Sequence, residues 1–129
     1  MRRIAPVRRL LGAALLLALV GCAQAPKPLY MWEGFPRQQY ETLSHEGGSS
    51  AEQQAQALEA QAEKARGAGA ALPPGFRAHL GMLYLSMGNA SAAAQMWTAE
   101  KGAFPEGAPY MDYLLKRLDA TVQATNGGK

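Results

Sequence analysis

The chain has 129 residues, a formal net charge of +3, 48% hydrophobic residues and a single cysteine. A length of this order fits one small domain, and four of the 13 basic residues (Arg2, Arg3, Arg8 and Arg9) fall within the first 21. Without that segment nine basic residues face ten acidic ones, which removes any charge-based case for a nucleic-acid partner.

The four arginines precede an uncharged apolar run of 11 residues, Leu10 to Val20. As a helix this run would rise about 16 Å, roughly half the hydrocarbon core of a bilayer, so it reads as a secretory signal and not as a span. Leu19-Val20-Gly21-Cys22 resembles the bacterial lipobox. In that motif signal peptidase recognises the three residues before a cysteine, which becomes the acylated first residue of the mature chain. Residues 1–21 are therefore expected to be removed, with Cys22 as the lipid attachment site. Once acylated, Cys22 leaves no thiol for a disulfide or a zinc–thiolate site. At about 0.8 kcal/mol per buried methylene, two or three acyl chains make a permanent membrane anchor. Ala23, where the enterobacterial inner-membrane retention signal has aspartate, implies an outer-membrane location facing the periplasm.

Residues 22–29 contain Pro26 and Pro28 and read as a short extended tether. Tyr30, Trp32, Phe35 and Tyr40 follow within 11 residues. Pro36 is placed to open a short helix carrying Tyr40 and Leu43, which His45-Glu46-Gly47-Gly48-Ser49 breaks. Ser50 and Gln53 fit a capping box. Ala51, Ala55, Leu58, Ala62 and Ala65 then share one helical face, opposite a face of Glu, Gln, Lys and Arg. Arg66-Gly67-Ala68-Gly69 ends that helix.

Pro73-Pro74 starts an amphipathic helix with Phe76, Leu80, Leu83, Tyr84 and Met87 in register. Gly88 stops it, and Asn89 caps a successor that runs to about Ala103 with Ala92, Ala93, Met96, Trp97 and Ala99 on one side. Pro105 ends the successor, and Pro109 opens a last helix with Met111, Leu114, Leu115, Leu118 and Val122 in register. Residues 124–129 read as a flexible tail, leaving a domain over 30–123. No stretch of useful length alternates with period two, so the fold class is all-α. The connection at Gly88-Asn89 is so short that its two helices must form an antiparallel hairpin.

That hairpin resembles a tetratricopeptide repeat through Leu80, Gly81, Tyr84, Gly88, Ala93, Trp97 and Pro105. The expected packing roles follow from the residue types. Gly81 and Ala93 allow close backbone approach, Tyr84 and Trp97 fill the space between neighbouring hairpins, Leu80 is a packing residue of the first helix, and Pro105 stops the second helix. The pattern departs at Arg77, where its first-helix tryptophan would stand, and at Glu100, where an alanine is expected. Glu100 suggests that this side meets water or a cation. One repeat, residues 74–107, cannot bury both its faces. The helix before it and the helix after it must serve as neighbours, giving a short stack of about four helices behind the lipidated tether.

The chain is also similar to a family of small, uncharacterised outer-membrane lipoproteins. The matching pieces are Tyr30-Met31-Trp32-Glu33-Gly34, Tyr40, Pro73-Pro74-Gly75-Phe76, His79 to Leu85, and Phe104-Pro105-Glu106. The genes of that family lie beside those of other lipoproteins, one of them similar to the curli secretion pore. The resemblance implies an envelope assembly partner and no known activity.

Neither histidine has metal-ligand spacing: His45 lies in a glycine-rich turn, and Met82 and Leu83 stand three and four residues after His79. Glu106 and Asp112 read as ordinary acids near a helix N-terminus. No catalytic residue, metal, cofactor or small-molecule substrate is indicated. The expectation is a non-catalytic, lipid-anchored scaffold that binds another envelope protein, with Tyr30, Trp32, Phe35 and Tyr40 as candidate contacts. The favoured reading of these rings, Trp32 included, is nonetheless a cap on the exposed end of the helix stack, with the partner contact second and a contact with the bilayer surface third. The rival function is a regulator of a peptidoglycan synthase or hydrolase.

Overall fold

The computed structural model describes residues 27–44 and 48–127. The signal segment, Leu19, Val20, Gly21, Cys22, Ala23 and His45 lie outside the described residues. Among the described residues five α-helices follow one another: α1 (Phe35–Ser44), α2 (Ala51–Gly67), α3 (Phe76–Ser86), α4 (Ala90–Ala103) and α5 (Ala108–Asn126), with a 3-10 turn at Pro105–Gly107. Among the described residues there is no strand beyond one isolated bridge between Tyr30 and Ala71. The fold is all-α. The described residues form five helices instead of about four because the short helix at Phe35 is a full member of the stack.

The helix boundaries follow local chemistry. Ser50 and Gln53 form the reciprocal capping box of α2: the Gln53 amide donates to Ser50 Oγ at 3.3 Å, and the Ser50 amide donates to Gln53 Oε1 at 3.0 Å. Asn89 Oδ1 accepts from the Ala92 amide at 3.1 Å and starts α4. Gly88, at φ 79°, makes the left-handed turn that reverses the chain between α3 and α4.

The core has two parts. Phe35, Ala55, Leu58, Phe76, Leu80 and Leu83 join α1, α2 and α3. Ala93, Trp97, Met111 and Leu118 join α4 and α5. Tyr84 packs against both parts and links them. The alanine face expected on α2 is the buried one, with Leu58 fully enclosed and Ala55 and Ala65 beside it.

The hairpin runs antiparallel. Trp97 lies against Ala78 and Gly81, while Glu100, one turn later, reaches back to Gly75 and Arg77. A Cβ on Gly81 would stand 2.5 Å from Trp97 Nε1, so only glycine admits the indole here. The indole N–H donates to the Ala78 carbonyl at 3.1 Å. α2 lies on one side of the hairpin and α5 on the other, as a single repeat requires.

Three expectations change. Ala99 is exposed, on the solvent side of α4. The helix continues to Asn126, through much of the expected tail. At 19 residues, α5 is about 28 Å long against about 21 Å for the 14 residues of α4. Its last turns therefore outrun their support, and Val122 is 40% exposed despite its register.

Candidate binding surfaces

Glu100 does not meet water or a cation. It is 4% exposed, and its carboxylate accepts from the Gly75 amide at 2.5 Å and the Arg77 amide at 3.2 Å. The N-terminus of α3 has no side-chain cap of its own, because Gly75 sits there at φ 84°. Glu100 supplies that cap from the next helix, where the helix dipole also favours an anion. The departure from the repeat pattern is thus a tertiary cap.

The four aromatic candidates separate. Phe35 is 1% exposed and belongs to the core, with its ring 5.1 Å from Phe76 and 6.0 Å from His79. It therefore acts as the cap and cannot serve as a surface contact. Tyr30 is half-buried, edge-on to Trp32 at 6.3 Å and to Phe104 at 6.0 Å. Trp32 stacks on Phe35 at 6.4 Å but remains 46% exposed, and Tyr40 on the outer side of α1 is 63% exposed.

The segment carrying these rings is pinned by residues that helical periodicity assigns to a polar face. Gln61 is buried, and its side-chain amide donates to the carbonyls of Met31 at 2.9 Å and Trp32 at 3.0 Å. The Met31 amide donates to the Ala71 carbonyl at 2.9 Å, and Lys64 pairs with Glu33 at 2.6 Å. Gln54, also buried, accepts from the Thr42 hydroxyl at 2.6 Å and donates to the Ser49 carbonyl at 3.2 Å, which ties α1 to α2. No local signal marked either one: Gln61 stands between two alanines, but so does the exposed Gln56, and Gln54 stands between Gln53 and Ala55.

Trp97, expected between neighbouring hairpins, packs inside its own hairpin against Gly81 and Ala78. Leu80, Gly81, Ala93 and Trp97 are buried. Tyr84 is half-buried, donates its hydroxyl to the Glu59 carboxylate, and is pushed up to about 12 by burial and then by that carboxylate. Pro105 begins the 3-10 turn as well as ending α4. Burial holds the pKa of His79 below its ordinary value, and its Nε2 is buried with no hydrogen-bond partner among the described residues. Among the described residues, no group of three or more His, Cys, Asp or Glu is placed to hold a metal ion. No described helix is long and apolar enough to cross a membrane.

Two of the concave surfaces among the described residues combine aromatic and charged side chains. The first is a groove of about 310 Å³ between α3 and α5. Trp97 and Leu118 form its floor, and Met82, Leu85, Tyr113, Leu114, Arg117 and Thr121 complete it. Arg117 lies over the Tyr113 ring at 5.7 Å and donates to its hydroxyl at 2.9 Å. Tyr110 stacks beside Tyr113 at 6.4 Å. The sequence reading missed this surface, although Tyr110, Tyr113 and Arg117 recur at i, i+3 and i+7 beside the apolar stripe of α5. The second surface is a cleft of about 530 Å³ where Tyr30, the end of α2, the α2–α3 loop, Arg77 and Phe104 meet.

These features define a small all-α helical stack with an exposed groove across its central hairpin and last helix. Residues 29–114 match the family described as Domain of unknown function (DUF4810), and the chain belongs to that family. The match spans every motif element from Tyr30 to Glu106. No curated protein and no solved structure matches the chain.

Proposed function

We propose that this protein is a non-catalytic adaptor of the bacterial envelope. It is acylated on Cys22, faces the periplasm from the outer membrane, and holds another envelope lipoprotein of the curli-secretion-pore-like kind. The lipobox and Ala23 support the anchor and its location. The groove between α3 and α5 carries the binding reading. Met82, Leu85, Tyr110 and Tyr113 expose large apolar or aromatic area around it, on a domain too small to leave such area uncovered without cost. Tyr and Arg are the residue types that dominate protein interfaces, and Tyr113 and Arg117 already hold each other in place on the rim.

The test is co-purification from crosslinked membranes with wild-type protein and with Leu85→Glu. Leu85 lines the groove at its exposed edge, so the charge should leave folding intact. The proposal expects a co-purifying envelope lipoprotein that the substitution removes. Capture of a peptidoglycan synthase or hydrolase would favour the regulatory role instead. A partner retained by Leu85→Glu would move the interface away from the groove.

A further inference from the structure

The second cleft shares no lining residue with the α3–α5 groove. It sits where five parts of the chain converge: Tyr30, the last turns of α2, residues 70–72, Arg77 at the start of α3, and Ala103-Phe104 after α4. Its volume of about 530 Å³ lies within the range of sites that hold small molecules or chain ends. Tyr30 and Phe104 meet edge-on at 6.0 Å on its wall, and Leu72 with five alanines makes the rest of the uncharged lining apolar.

Three charged side chains line this space: Glu63, Arg66 and Arg77. Arg66 is paired with Glu63. Arg77 is half-buried, and among the described residues its guanidinium has no ion-pair or hydrogen-bond partner. The adjacent carboxylate, Glu100, is spent on the Gly75 and Arg77 backbone amides. Arg77 stands where the repeat pattern puts tryptophan, so a large apolar filler is replaced by a forked cation over an open cleft.

We propose that this cleft binds the C-terminal carboxylate of a peptide whose last side chain is apolar, with Arg77 as the anchor and Tyr30 and Phe104 as the side-chain wall. The lining carries a net single positive charge, which matches a carboxylate and not a phosphate dianion. A guanidinium engages a carboxylate through two parallel hydrogen bonds. The aromatic wall takes the adjoining side chain, and the open mouth admits the end of a chain.

The probe is acetyl-Ala-Ala-Leu as the free acid, titrated calorimetrically into detergent-extracted protein, with the C-terminal amide and inorganic phosphate as comparisons. The proposal expects the acid to bind at least about tenfold more tightly than the amide, the scale of a charge-assisted hydrogen bond. It also expects phosphate to compete poorly, Arg77→Met to abolish the acid–amide difference, and Arg77→Lys to restore part of it. Equal binding of acid and amide overturns the proposal. So does no binding at about 1 mM, or undiminished binding by a folded Arg77→Met protein. If Arg77→Met does not fold, the acid–amide comparison on the wild type still decides. A negative result leaves the adaptor reading standing, because Leu85→Glu tests the other surface.

Discussion

Placing a methyl group on Gly81 should loosen the central hairpin although alanine is the better helix former. The added Cβ would lie 2.5 Å from Trp97 Nε1, 2.7 Å from Trp97 Cδ1 and 3.2 Å from the Ala93 carbonyl oxygen. Trp97 is a rigid, fully buried ring and not a flexible chain end. It yields only by moving away from Met111 and Leu118 and by stretching its 3.1 Å bond to the Ala78 carbonyl. Overpacking of this kind costs about 1–3 kcal/mol, and weakening the indole hydrogen bond adds about 1 kcal/mol. The intrinsic helix preference of alanine over glycine returns about 1 kcal/mol. The net loss is about 1–3 kcal/mol, a large share of the stability of a domain this small. Gly81→Leu, with a bulkier side chain at the same point, should lose more. Gly102 in α4 is the control, since a Cβ there meets nothing within 4 Å. Gly102→Ala should be neutral or stabilising by up to about 1 kcal/mol. Urea unfolding followed by far-ultraviolet circular dichroism gives both values. A Gly81→Ala midpoint equal to or above wild type would show that the helices do not approach as described.

Cys22→Ser should abolish metabolic labelling by a clickable palmitate, and label retained on that variant would refute the anchor. Phe35→Ala should cost about 3–5 kcal/mol by denaturant unfolding, whereas Trp32→Ala should cost distinctly less because about half its surface stays wet. Equal losses would contradict the division between cap and surface. Glu100→Ala should cost about 2 kcal/mol or more by orphaning the Gly75 and Arg77 amides, and an unchanged unfolding midpoint would refute the tertiary cap. The burial of His79 lowers its folded pKa, so the unfolded chain takes the proton first. Stability should then fall as pH drops below about 6.5 and level off beneath the folded value, with no contribution above about 6.5. Comparing wild type with His79→Leu at about pH 7.5 and 5.5 checks this, and equal pH dependence in the two would contradict it.

Helix order and the buried faces were legible because they depend on local signals. Ser50, Gln53, Gly88, Asn89 and Pro109 mark helix ends by chemistry that acts within a few residues. The apolar register of α3 reports its core face directly. Gly81 and Ala93 were legible as a close approach of the two helices, but Trp97 reads from the repeat pattern as a filler between neighbouring hairpins, whereas it packs on Gly81 and Ala78 inside its own. What stayed hidden was tertiary. Glu100 and Gln61 look like solvated polar residues, and their partners are backbone groups 25 and about 30 positions away. The relative length of α4 and α5 decides the exposure of Val122, and no periodicity encodes it. The aromatic segment was visible as a cluster, but its division into buried Phe35 and exposed Trp32 depends on where α2 and α3 sit beneath it.

The most direct test of the adaptor account is site-specific photocrosslinking in living cells. A photoreactive phenylalanine analogue at Tyr113, inside the α3–α5 groove, is compared with one at Gln95 on the exposed side of α4. The account predicts a discrete adduct with an envelope lipoprotein from position 113, absent from position 95 and lost when Leu85→Glu is added. An adduct from position 95 alone, or none from position 113, would contradict it.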